Sequence, residues 1–274
     1  MKLLFLIIAS DDPIHIQDES TQRATWASNS FADSLWLRGG KAEILDCGSS
    51  TLYVNVEDIY PKILQKTIRG ITWCHKNLEF DFLIRANVST YFDIDRTRLL
   101  LSRYDSEKDF LGGHLDFIKN SSNFNSNNMF VNGGAIFLSK KTAARLREMN
   151  CEDWANVPDD FAISQFLFEQ NISPTPIPRG HVANTGILTK KSYYRMKSSS
   201  NPDMATIRMT RLYEIRNAKK LADKPKQYFT FYLNEIKNFR KNFSTLRNYS
   251  LQWYSIFSAA VKSRRVLRSS NAKF

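Results

Sequence analysis

Over its first two thirds the chain alternates apolar runs of strand length with segments whose apolar residues recur at helical spacing. Leu3 to Ala9 is an unbroken apolar run that meets Ser10-Asp11-Asp12. Carboxylates stand there where a secretory signal would have small cleavage-site residues, so the run predicts a first buried strand. Asp18 to Gly39 reads as a helix with Trp26, Phe31, Leu35 and Trp36 on its apolar side, ended by Gly39-Gly40. Ala42 to Cys47 then reads as a second strand, and Pro61 to Cys74 as a helix carrying Ile63, Leu64, Ile68, Ile71 and Trp73. A buried run, Phe80 to Ile84, follows directly, and Arg96 to Tyr104 is a short helix.

Phe110 to His114 and Met129 to Leu138 have strand character, separated by Lys119 to Asn128, a serine- and asparagine-rich surface loop. Ser139 caps a helix running to Asn150, and Pro158-Asp159-Asp160 opens another. The whole alternation predicts an α/β domain with a mostly parallel central sheet flanked by helices.

In such a sheet, ligand groups gather where buried strands emerge at their carboxyl ends. The run ending at Ile84 stops abruptly at Arg85-Ala86-Asn87-Val88-Ser89, a cation, an amide and a hydroxyl. At the end of the first strand, Ser10 and Asp11 stand at a second such transition from strand to polar loop. Asp159 and Asp160 suit a helix start, which favours negative charge, and equally suit acid–base chemistry in a cleft.

Composition is that of a globular chain: 24% charged and 42% apolar over 274 residues. Three cysteines, Cys47, Cys74 and Cys151, are too far apart and odd in number for a disulfide framework or a zinc site. They read as small buried hydrophobes in a reducing, cytoplasmic setting.

Charge changes the picture more. Residues 211–274 hold 15 lysines and arginines against 3 acids, whereas residues 1–210 hold 24 of each. The division expected is therefore a domain at 1–203 and a basic, aromatic-rich helical extension at 204–274. Phe229, Phe231, Tyr232, Phe239, Phe243, Trp253 and Phe257 interleave there with cations. That pattern suits an anionic membrane surface, which would place the protein at the inner face of a membrane. Nucleic acid stacked on the rings, or helices packed by their aromatic face, would also use it.

Several separated pieces fall in one order. Arg23-Ala24-Thr25-Trp26, Val56-Glu57-Asp58-Ile59-Tyr60, Lys66-Thr67 with Trp73, Arg85 to Ser89, Gly133 to Ser139, and Pro158-Asp159-Asp160 span residues 3–170. Together they resemble the R-x-T-W, D-x-Y, K-T, triple-aspartate, G-x-G-x-x-x-S and E-D segments of the family 31 and Fringe-like β-glycosyltransferases. The resemblance implies a GT-A fold and transfer of a sugar from a nucleotide-sugar donor, UDP-linked in this family, to a glycan or lipid-linked acceptor with inversion.

It also implies Asp160 as general base, Asp159 beside it, and Gly133 and Gly134 on the acceptor side. Ser10, Asp11, Arg23, Arg85, Asn87 and Ser89 would then face the donor. The family's aspartates hold Mn²⁺ or Mg²⁺ against the diphosphate; this chain has Asn87, Val88 and Ser89 there, so no metal is firmly implied. Asp93, Asp95 and His181 are the remaining metal candidates, and Arg85, Arg23 or Arg179 could supply positive charge instead. Loss of those carboxylates equally fits an inactive module that binds a nucleotide sugar or glycan.

Overall fold

The computed structural model describes residues 1–40, 42–117, 129–155, 157–181, 191–196, 205, 208–210 and 212–213. The first strand, β1 (Leu3–Ile8), is buried at every position, as a strand covered on both faces must be. Helix α1 (Pro13–Ala24) follows; Asp12 caps it, accepting from Ile14 N at 2.8 Å, and Pro13 occupies its first turn.

Here the structure corrects an expectation. No helix runs from Asp18 to Gly39: α1 ends at Ala24, and Asp33–Gly40 is strand β2. Alternation at period two decides it. Leu35 and Leu37 enter one core, while Trp36 turns to the opposite face, where its Nε1 donates to Gln22 Oε1 at 3.2 Å. Phe31, expected on an apolar helix face, is 59% exposed. Gly39 is no helix stop; a Cβ there would lie 2.5 Å from Val56 O, so the glycine permits a close backbone approach. The strand expected at 42–47 is the short β3 (Ile44–Asp46), which folds back on β4 (Thr51–Asn55).

The remaining elements are α2 (Ile63–Asn77), β5 (Phe82–Asn87), β6 (Thr90–Phe92), α3 (Ile94–Leu101), β7 (Leu111–Phe117), β8 (Met129–Ser139), α4 (Lys140–Arg145), α5 (Asp159–Glu169), β9 (Pro174–Pro176), β10 (Gly180–His181) and β11 (Tyr193–Arg195). The α-helices and β5, β7 and β8 follow the expected order, with α4 stopping at Arg145 rather than Asn150, whereas the short strands β6, β9 and β10 are not announced by the apolar pattern. Eight strands form one sheet in the order β3-β4-β2-β1-β5-β8-β7-β9, with β4, β2, β1 and β5 mutually parallel. β8 runs antiparallel to β5 and β7, so its amino half lies at the edge where β1, β2 and β5 end.

On one face Leu4, Leu6, Leu37 and Leu83 pack with Leu64, Ile68, Ile71 and Cys74 of α2 and Ile163 and Leu167 of α5. Burial lifts the Cys74 thiol to a pKa of about 12. Cys47, by contrast, is exposed, against the expectation that all three cysteines are buried. On the other face Phe5, Trp26, Phe92, Phe137 and Tyr193 form one aromatic cluster, with ring centroids 4.7 to 6.2 Å apart. This cluster seats the second sheet, β10-β11-β6, on the first.

Met1–His181 and Lys191–Thr210 make one compact unit. Ala205 and Met209, which the sequence assigns to the extension, are buried, and Arg208 Nη1 donates to Met196 O at 2.6 Å. The loop expected at 119–128, the serine-rich stretch at 198–202 and the basic extension from 214 onward lie outside the described residues. Among those described, no helix is long and apolar enough to cross a membrane.

Candidate functional site

β5 is buried from Phe82 to Ala86, and its side chains alternate between the two faces, so Arg85 and Asn87 emerge on the same side at the carboxyl edge. Arg85 is the centre of the site. Its Nη2 donates to Asp159 Oδ2 at 2.6 Å and its Nη1 to Asn87 Oδ1 at 2.7 Å, and Nη1 also donates to Gly133 O. The guanidinium side is only 3% exposed, so this is a desolvated ion pair with a planar donor fork satisfied on several sides.

The two acids at the start of α5 differ. Asp159 carries the ion pair to Arg85 and lies 3.4 Å from Thr67 Oγ1 of α2. Asp160 turns to β8: its Oδ2 accepts from Gly133 N at 2.7 Å and its Oδ1 from Phe161 N at 2.9 Å. Burial, and then the neighbouring Asp159 charge, raise the Asp160 pKa above its ordinary 3.8. An acid whose charged form is held back in this way, beside one neutralised by an arginine, is the division of roles acid–base sites use.

Gly133 has a packing reason. A Cβ there would sit 3.0 Å from Asp160 Oδ2 and 3.1 Å from Arg85 Nη1, so glycine lets the backbone touch both. Gly134 donates from N to Asn132 Oδ1 at 2.9 Å and accepts at O from Thr90 Oγ1 at 2.7 Å.

Ser10 and Asp11 do lie at the end of β1. Ser10 Oγ is 2.6 Å from His15 Nδ1, and Asp11, 92% exposed at its side chain, is 2.5 Å from Arg38 Nη1. Ser89 is buried and accepts at O from Met196 N at 3.0 Å.

Arg23 is a correction. It lies at the end of α1, near the amino ends of the strands, where it pairs with Glu19 at 2.8 Å, donates to Ser49 O and lies 3.5 Å over the Trp36 ring. α1 runs back against β1, which carries its last turn away from the carboxyl edge, so Arg23 leaves the donor-facing set.

The tip does not fit a hard divalent cation. Asn87 Oδ1 is engaged by Arg85, Val88 is buried and apolar, and Asp93 is the cap of α3, accepting from Arg96 N at 3.3 Å and pairing with Arg96 Nε at 2.9 Å. Asp95 sits in the first turn of that helix. The side chain of His181 lies outside the described residues, although its backbone pairs with Arg195 in β11. Among the described residues no group of three or more His, Cys, Asp or Glu is placed to hold a metal.

The pattern of polar residues along the chain gives no site role to three others, Gln22, Lys66 and Asn132. Gln22, fully buried, donates to Asn87 O and Thr90 O at 3.2 and 3.0 Å and so fixes the turn after β5. Lys66, 2% exposed, reaches Ala9 O at 2.8 Å and Asp58 Oδ1 at 2.5 Å, and burial lowers its pKa. The D-x-Y and K-T segments thus meet as an ion pair under the end of β1. Asn132 accepts from Arg179 Nη1 at 2.7 Å and donates to Asp116 Oδ2 at 2.6 Å.

No protein-family model matches the chain, and a search of curated proteins finds no match. Among solved structures, the galactosyltransferase LgtC in complex with donor and acceptor sugar analogues is 12% identical, with a TM-score of 0.46 over 78% of this chain and 95% of its own. A glycosyltransferase involved in glycosylation of the major capsid of PBCV-1 is 11% identical, with a TM-score of 0.46 over 75% of this chain and 99% of its own. HddC from Yersinia pseudotuberculosis is 13% identical, with a TM-score of 0.42 over 75% and 98%. Likeness at this level says nothing about the reaction, which rests on the residues at the edge of β5.

Proposed function

We propose that this chain is a nucleotide-sugar-dependent glycosyltransferase of GT-A type, akin to the family 31 and Fringe-like enzymes. The observation that carries the reading is the meeting of Arg85, Asn87, Gly133, Asp159 and Asp160 at the carboxyl edge of the sheet, in segments that are remote in sequence. Asp160 takes the proton of the acceptor hydroxyl as its oxygen forms a bond to the anomeric carbon. The bond from that carbon to the diphosphate breaks on the opposite side, inverting the configuration. Arg85 pairs with Asp159 and fixes the start of α5, so Asp160 keeps its place against Gly133. No step is assigned to a metal ion.

A panel of UDP-sugars with and without Mn²⁺, read by donor hydrolysis and transfer, tests this. Asp160→Asn is expected to lower transfer by about 100- to 10,000-fold while leaving donor binding intact. The base works ionised and its pKa is raised, so activity should fall with decreasing pH at a point above the ordinary carboxylate value of 3.8. A product of retained anomeric configuration would remove the inverting step.

Both Asp160 oxygens already accept backbone hydrogen bonds, which favours a second reading: a module that binds nucleotide sugar without turnover. Donor binding with no transfer, unaltered in Asp160→Asn, would select it.

A further inference from the structure

β11 lies antiparallel on β6 with Arg195 in register with Thr90, and the next residue, Met196, donates from N to Ser89 O at 3.0 Å. Arg195 therefore sits on the turn that closes the Asn87–Ser89 tip. Arg179 approaches the same place from the loop after β9. Its Nη1 donates to Asn132 Oδ1, which also accepts from Gly134 N, and Gly134 O in turn accepts from Thr90 Oγ1. Each arginine is thus one residue removed from Gly134, one through Thr90 and the other through Asn132.

Tyr193, two residues before Arg195 and so on the same face of β11, shows where that face points. Its hydroxyl accepts from His114 N at 2.9 Å and donates to Ile177 O at 3.4 Å.

Both arginines are partly buried, and among the described residues Arg195 makes no ion pair. The Arg179 pKa is lowered, first by burial and then by the Arg195 charge. Asp116, which shares Asn132 with Arg179, offsets part of that charge, and two guanidinium groups this near one another are favourable around an anion. Guanidinium forks match tetrahedral phosphate oxygens bidentately, and two forks suit an anion with two phosphates. We propose that Arg179 and Arg195 form a diphosphate clamp beside the Asn87–Ser89 tip, supplying through side chains the positive charge a departing nucleoside diphosphate requires. The assignment of that diphosphate to a sugar donor rests on the transferase reading; the clamp itself does not.

The test is calorimetric titration of the full chain, in EDTA, with inorganic pyrophosphate, UDP and uridine. Pyrophosphate and UDP should bind in EDTA as well as in Mn²⁺ and weaken with salt. Arg195→Gln should weaken both by about 10- to 100-fold and leave uridine unchanged. Arg195→Lys, which keeps the charge but not the fork, should recover part of the loss. An unchanged melting temperature of the ligand-free variants shows that folding is not the cause.

If UDP binding vanishes in EDTA, or Arg195→Gln and Arg179→Gln both bind pyrophosphate as the parent does, the clamp is overturned. Turnover of a nucleotide sugar with binding indifferent to Arg195 would sink the clamp and leave the transferase standing. Arg195-dependent pyrophosphate binding without turnover of any nucleotide sugar would establish the clamp and sink the transferase.

Discussion

At the scale of single residues, the site depends most on a side chain that is absent. A methyl group at position 133 would press on Asp160 Oδ2 at 3.0 Å and on Arg85 Nη1 at 3.1 Å, both held by other bonds. Gly133→Ala is therefore expected to abolish most transfer activity while the protein still melts cooperatively; an active Gly133→Ala enzyme would show that the contact between β8 and the acids is dispensable. Arg85, Asn87, Asp159 and Asp160 are legible in the chain because a buried run that ends in polar residues and an acidic helix start are local signals. Arg195 is not legible, since one arginine in a basic sequence carries no mark until β11 pairs with β6. Arg23 misleads for a related reason: the short R-x-T-W pattern survives, but α1 carries its arginine toward the amino ends of the strands.

At the scale of elements, α2 and the end of β1 are locked by one buried cation. Lys66 links Ala9 O to Asp58, and Asp58 Oδ2 accepts from Gly39 N at 3.1 Å, so three elements meet on one ammonium group. Lys66→Met would leave Asp58 with its bond from Gly39 N but without its cation, and Ala9 O without the ammonium donor. A loss of about 3–5 kcal/mol in denaturant unfolding is expected, and a variant as stable as the parent would mean that water replaces the ammonium group.

From α2 to α5 the longer helices and strands are readable because apolar spacing there is clean, whereas β6, β9 and β10, of two or three residues each, are too short to carry a period. The segment 18–39 is not, because Trp26, Leu35 and Trp36 fit a helical period while in fact serving two different elements. The terminating glycine pair strengthens the wrong reading; its cause is the approach of Val56 and Asp58, contacts made only in the folded chain.

For the whole molecule, the electrostatic division is the dominant fact: residues 1–210 balance and residues 211–274 carry 15 cations against 3 acids. We propose that this charge draws the protein to anionic lipid, beside a lipid-linked acceptor. The full chain should sediment with vesicles containing phosphatidylserine, be released by salt, and ignore neutral phosphatidylcholine vesicles. Equal binding to both vesicle types, or none to either, would overturn the proposal.

The stack of Phe92 on Tyr193, with centroids 5.7 Å apart and planes 20° from parallel, joins the hydrophobic interior to the rim of the site. Tyr193 and Arg195 share one short strand, so any loosening of that aromatic seat displaces a guanidinium as well. A substitution such as Phe92→Leu, made far from solvent and touching no ligand, should thus register as weakened nucleotide affinity before it registers as unfolding.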